Sequence, residues 1–196
     1  MPAPQSPRRR EILDAAVVVL AGHGLKGLTH RGIDREAGLP EGSSSAYFRS
    51  RAALQQAVAE HLSDQLVQDV AALSDTLAAG DHSVARAVRE TGALFRRWLA
   101  HPEQVLARLE LTLAATRDEE LAATMAGWRA QLVELVRRTL EAGGRPDDAT
   151  RAATVVAALD GVLLAALQRP ARQRAAFLRS SLELLLGLLA EPADPA

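Results

Sequence analysis

Histidine, cysteine and clustered carboxylates are where catalytic or metal chemistry would show first, and here none is arranged for it. The five histidines, at positions 23, 30, 61, 82 and 101, form no metal-ligand spacing such as HExxH, and the sequence has neither a Gly-rich phosphate loop nor a nucleophile elbow. Cysteine is absent, which excludes disulfides, zinc-thiolate sites, iron–sulfur clusters and cysteine nucleophiles together. Asp118, Glu119 and Glu120 fit the first turn of a helix, where the dipole favours negative charge. We therefore expect no enzyme, no cofactor and no metal. What the residues do offer is hydrogen-bond donation to a polyanion. Thr29 caps a short helix with Ile33 and Ala37 on one face, Gly38 supplies a left-handed turn, and PEGSSSAYF from Pro40 reads as a second short helix rich in hydroxyls. A helix-turn-helix needs this pattern to project its second helix into the major groove of DNA.

The elements that must position this segment are helices. Hydrophobic residues make up 48% of the 196 residues and aromatics only 3%, and the β-branched residues never gather into an alternating run. Ser6-Pro7 starts a first helix with Ile12, Leu13, Ala16, Val17 and Leu20 as its buried stripe, ended by Gly22 and Gly24. Ser50 caps a long helix carrying Leu54, Val58, Leu62, Leu66, Val70, Leu73 and Leu77, of about seven turns, ending near Gly80. Further helices follow at Val84 to Ala100 and Glu103 to Thr116. A longer one runs from Leu121 through Leu140 and is closed by Gly143-Gly144. The last two cover about 147–168 and 171–190, broken by Pro170 and finished by Pro192. The fold class is all-α, with about nine helices: a three-helix helix-turn-helix domain over residues 1–51 and a C-terminal helical domain over 52–196. The net charge of −1 hides an asymmetry, +3 over residues 1–51 against −4 beyond, so the N-terminal quarter is the part suited to phosphate. No stretch approaches a membrane span and no apolar segment follows the N-terminal arginines, so a soluble cytoplasmic protein is expected, with no membrane partner.

The run LTHRGIDREAGLPEGSSSAYFRSRAAL, Leu28 to Leu54, resembles the DNA-binding domain of the TetR family of transcriptional regulators. It has the Leu-Thr-x-Arg start, the Ala-Gly-Leu turn, small hydroxyl-bearing residues after a glycine, the Tyr-Phe pair, and serine followed by a basic residue. The resemblance extends to chain length, helix number and the pattern LDGVLLAALQRP from Leu159. It implies a DNA contact set of Thr29, His30, Arg31, Glu41, Gly42, Ser43, Ser45, Tyr47 and Arg51. Arg31 would reach a base edge, where its fork can bond guanine O6 and N7. Ser43 and Ser45 occupy contact positions on the recognition helix, and Tyr47 and Arg51 would touch phosphate. Thr29 and Gly42 would offer a hydroxyl and a backbone N–H to phosphates. Two departures stand out: Ser45 replaces a frequent tyrosine, and Asp34 replaces a tight alanine, where it would hold His30 or Arg35. Glu41 repels phosphate but can accept from a cytosine amino group. Arg8, Arg9 and Arg10 read either as a minor-groove arm or as the solvated face of a first turn.

In the larger domain, Phe95, Trp98, Glu110, Met125, Trp128 and Asp160 are candidate ligand contacts. Helical spacing gives the apolar ones a plain core reading as well, and burying either carboxylate would require a partner. The last two helices are apolar almost all round, which points to burial against a second subunit, with Leu159, Leu163, Leu167, Phe177 and Leu185 as interface candidates. The family implies a dimer held by a four-helix bundle of these helices and a ligand cavity among the middle ones. The expected function is a repressor that binds double-stranded operator DNA as a homodimer and is released by a small-molecule effector. The alternative is a helical small-molecule-binding protein or enzyme without DNA binding.

Overall fold

The computed structural model describes residues 6–145 and 148–190; the expected stop at Pro192 lies outside them. Those residues form nine helices and no strand: α1 (Pro7–Gly27), α2 (His30–Glu36), α3 (Ser43–Tyr47), α4 (Arg51–Ala78), α5 (Val84–Ala100), α6 (Glu103–Ala115), α7 (Glu119–Ala142), α8 (Ala149–Leu167) and α9 (Ala171–Ala190). They pack into two compact units. The first joins the described part of Met1–Leu66 to His101–Trp128, and the second joins Val67–Ala100 to the described part of Arg129–Ala196. Helices α1, α2 and α3 thus share one core with the first part of α4, with α6 and with the start of α7.

Local chemistry explains several helix starts. Ser6 accepts from the Arg9 amide at 3.2 Å with proline at the first helical position, Thr29 accepts from Gly32 N at 3.1 Å, and Ser50 accepts from Ala53 N at 3.1 Å. Helix α1 kinks at Gly24, with φ 61° and ψ −173°, a backbone region essentially reserved for glycine. A β-carbon there would also lie 3.1 Å from a carboxylate oxygen of Glu110. Gly24→Ala is expected to cost about 1–3 kcal/mol of stability, read from the denaturant midpoint. An unchanged midpoint would mean that the backbone relaxes at this kink.

The core of the first unit is the stripe Ile12, Leu13, Ala16, Val17 and Leu20 of α1, closed by Ile33, Phe48, Leu54, Val58 and Leu62 and by Ala107, Leu111 and Leu121 from the later helices. Leu39 packs against it from the turn after α2, as its position suggested. Buried His61 of α4 meets Asp14 of α1 at 2.7 Å, a polar tie beside the apolar one. In the second unit, Phe95 and Trp98 stack with ring centroids 5.5 Å apart, and Leu94, Leu99, Leu132, Val155, Leu178 and Leu182 are buried in the same unit. The Trp98 indole donates to Asp69 at 2.7 Å and Arg97 takes the other carboxylate oxygen at 2.9 Å.

Contrary to the expectation that no stretch approaches a membrane span, α8 at 19 residues and mean hydropathy 1.6 is long and apolar enough to cross one, by length and composition alone. Its apolarity has two directions. Ala152, Val155, Val156, Leu163 and Ala166 are buried in the second unit, while Ala153, Ala157, Gly161 and Leu164 are exposed.

Candidate nucleic-acid interface

The two short helices α2 and α3 are held together by one buried carboxylate. Sequence alone assigned Asp34 to His30 or Arg35; instead it is 1% exposed and points at the start of α3. Its Oδ2 accepts from Gly42 N and its Oδ1 from Ser44 N, both at 2.8 Å. Physical necessity lies behind this. Helix α3 begins after Gly42, which is left-handed at φ 94° and has no side chain to cap the orphan amides, so the acceptor comes from the neighbouring helix. Burial pushes the Asp34 carboxyl up, but hydrogen bonds from Ser44, the Gly42 amide and the charge of His30 outweigh it and hold the group below its ordinary value. His30 joins the same network, its Nδ1 lying 3.2 Å from Ser44 Oγ, which also donates to the His30 carbonyl at 3.3 Å.

The clamp also corrects the start of the recognition helix. Pro40 was expected to open it, but Pro40–Ser43 is a turn, closed by Ser43 N to Pro40 O at 3.2 Å, and the helix runs only from Ser43 to Tyr47. The left-handed backbone at Gly42 cannot lie inside a right-handed helix.

The expected contact residues surround this clamp. Thr29, Arg31, Glu41, Gly42, Ser45, Tyr47 and Arg51 are exposed, and His30 and Ser43 are half-buried. Ser43 Oγ donates to Pro40 O at 2.7 Å and Ser45 Oγ to Gly42 O at 2.8 Å; each hydroxyl keeps lone pairs and can rotate to a new partner. Arg31 and Glu41 face one another across the turn at 3.3 Å, both side chains more than 70% exposed. Arg51 donates to the Leu25 carbonyl near the end of α1, which orients its guanidinium and leaves further N–H groups unused. Phe48 is buried, as expected for core.

The N-terminal arginines are not an extended arm. All three lie in the first turn of α1, where Arg8 pairs with Glu11 at 2.7 Å and the Arg9 guanidinium sits 5.3 Å over the Phe48 ring. Two exposed cations outside the expected contact set, Arg35 on α2 and Arg49 between α3 and α4, carry no ion pair among the described residues. The signal available for them was only their place within the motif.

The candidate ligand contacts are dispersed. Phe95 and Trp98 are buried in the second unit. Glu110 on α6 is half-buried against Gly24 in the first, and Met125 on α7 packs on the core of that unit. Half-buried Trp128 ends the first unit, with its indole N–H buried and unpartnered among the described residues. Asp160 is exposed and paired with Arg129, a partner that sequence did not suggest. Two cavities within the second unit, of about 120 and 500 Å³, are lined by other residues. Of the interface candidates, Leu163 is already buried in its own unit. Leu159, Leu167, Phe177 and Leu185 are half-buried, and Phe177 is covered by the Arg169 guanidinium at 3.5 Å. Among the described residues, the large apolar side chains left open on the last two helices are Leu164, Leu184 and Leu188. Among the described residues no group of three His, Asp or Glu could hold a metal ion.

Comparison with known proteins agrees with this architecture. Residues 12–58 match the bacterial regulatory proteins of the tetR family, and residues 82–190 match the tetracyclin repressor-like C-terminal domain. A TetR family member from Streptomyces coelicolor is 32% identical with a TM-score of 0.68, over 92% of this chain and 98% of that one. A transcriptional regulator from Rhodococcus is 23% identical with a TM-score of 0.75, over 92% and 95%. The multidrug binding protein EbrR, solved with imidazole, is 30% identical with a TM-score of 0.64, over 96% and 94%. No curated protein sequence matches the chain. With its clamped helix-turn-helix and both halves matched to one family, the chain belongs to the TetR family and is a DNA-binding transcriptional regulator rather than an enzyme.

Proposed function

We propose that this regulator is a repressor that binds operator DNA as a homodimer and is released by a small molecule. The observation that carries this reading is the Asp34 clamp, which holds α3 with Ser45 and Tyr47 exposed, while Arg31 is exposed on α2. In this reading residues 1–51 read DNA and 52–196 bind effector and partner. Arg31 leaves Glu41 to bond a guanine edge, Thr29, Gly42, Tyr47 and Arg51 hold phosphates, and Arg35 and Arg49 add to the positive field. Arg31→Ala is expected to cost about 1–3 kcal/mol of operator affinity and to relax preference at one base pair. Glu41→Gln removes a charge that repels phosphate, so it should raise affinity for unrelated duplex. Equal binding of both variants and the parent to all duplexes would remove this pair from recognition.

Support for the homodimer comes from the open face of the last two helices. Leu184 and Leu188 are 71% and 69% exposed on α9, and Leu164 lies on α8 beside the small residues Ala153, Ala157 and Gly161. Two such faces pack closely, and a two-fold dimer sets its recognition helices about 34–36 Å apart, one turn of DNA. Support for the effector comes from the buried, unpartnered Trp128 N–H, a donor waiting for an acceptor, and from EbrR, a relative described as multidrug binding. Helix α4 belongs to the first unit up to Leu66 and to the second from Val67, and this continuous helix is the element through which the effector is proposed to act on DNA binding. A coupling of about 1–3 kcal/mol changes operator affinity roughly 5- to 150-fold.

The test is fluorescence anisotropy with duplex from the upstream region of the protein's own gene, against scrambled duplex, with salt varied. Selective binding that weakens steeply with salt supports the reading. No binding to any duplex at low salt would overturn it.

A further inference from the structure

The larger cavity of the second unit, about 500 Å³, is an open groove between α5 and α9. That volume falls within the roughly 300–1,000 Å³ of small-molecule sites. Its floor is apolar: Val84 and Val88 lie one helical turn apart, and Gly92 follows after another turn, where a β-carbon would lie 3.3 Å from Nη1 of Arg96. Its rim is cationic. Arg89 and Arg96 project from α5 and Arg179 from α9, against the single carboxylate of Glu183.

The cations are not all spent on neighbours. Arg89 bonds Glu90 at 3.0 Å, and Arg97, the next residue along from Arg96, is taken by Asp69. Among the described residues Arg96 and Arg179 have no ion-pair partner, and neither does Glu183. Elsewhere in this unit Arg129 is paired with Asp160, and Arg86 and Arg174 are bonded to the Thr76 and Leu99 carbonyls, while Arg151 and Arg172 have no ion pair among the described residues and lie outside the groove. Two guanidinia without an ion pair line one apolar-floored groove, and an anion placed between them lowers their mutual repulsion while accepting their N–H groups. A neutral apolar molecule would use the floor and leave the rim unchanged. A cation would be repelled.

We infer that the α5–α9 groove binds an amphiphile with one anionic headgroup, its carboxylate held by Arg96 and Arg179 and its apolar chain lying along Val84 and Val88. Taken as the effector site, this rests on the regulator reading above; taken as a binding site, it stands without it.

Isothermal titration calorimetry of the DNA-free protein with sub-micellar dodecanoate, dodecanol and dodecylamine tests the site. Dodecanoate should bind and the other two much more weakly. The double variant Arg96→Ala/Arg179→Ala should weaken dodecanoate roughly 10-fold or more, each lost bond being charge-assisted. Glu183→Gln should tighten it. Both arginines are exposed, so the fold should tolerate their loss, and Ala85→Trp provides a second variant that fills the groove and should block binding without touching the charges. Equal binding of dodecanol, no binding of dodecanoate, or dodecanoate binding unchanged in both the double variant and Ala85→Trp would overturn the proposal. Operator binding is measured separately, so a groove that binds dodecanoate in a protein that ignores DNA, or the reverse, shows which of the two readings fails.

Discussion

Replacing Asp34 by alanine is expected to lower the unfolding free energy by about 2–3 kcal/mol, because the Gly42 and Ser44 amides lose a charged acceptor in a buried setting. The same change should cost operator affinity more than its distance from DNA suggests. Without the clamp, the turn from Pro40 to Gly42 and the first turn of α3 are no longer fixed, and ordering them again on DNA is expected to reduce affinity roughly 10-fold or more. Asp34→Asn keeps one oxygen but turns an amino group towards an amide N–H, so it should recover only part of the loss. Urea titration and anisotropy on the same samples separate the two effects. Because the carboxyl titrates below its ordinary value of 3.8, its stabilisation is complete above that value and is lost as pH falls through the lower folded one. The stability gap between parent and Asp34→Ala should therefore close in strong acid. If Asp34→Ala leaves both stability and operator affinity unchanged, the turn is held by something other than this carboxylate.

Charging the open face of α9 with Leu184→Glu/Leu188→Glu is expected to give a monomer and to weaken operator binding by roughly 10²- to 10⁴-fold, the advantage that a linked second half-site supplies. Both positions are exposed, so the secondary structure and thermal midpoint of each unit should change little, apart from the concentration dependence that a dimer brings. Sedimentation velocity reads the association state directly. Changing Leu163 instead would damage the protein's own core and give an ambiguous result, since that side chain is buried within its unit. A variant that remains dimeric with full operator affinity would move the interface to another face.

Most of the secondary structure was legible because helix ends are local events. Ser6, Thr29 and Ser50 are recognisable as caps from their type and from the residues just after them, and each does accept from an amide three residues on. Asp148 starts α8 within a residue or two of the expected position, by accepting from Thr150 N at 2.8 Å. The start of α3 was missed because Pro40 is a good first helical residue wherever the backbone allows a helix. What decides here is the positive φ at Gly42, a conformation that glycine permits but does not require.

The sequence by itself determined the helical class, the apolar stripes and the family, since each rests on spacing along one chain and on a motif of some 27 contiguous residues. Only the tertiary structure decided which partners the polar groups take. Asp34 lies 8 and 10 residues from the amides that it caps, Arg51 lies 26 from its carbonyl, and Arg129 lies 31 from Asp160; none is a helical-neighbour distance, so no periodicity could point to them. The same holds for the face of α8. Leu163 and Leu164 are equally apolar and adjacent, and a helix turns about 100° between them, so only the packing of the helices around α8 sends one into the core and leaves the other exposed.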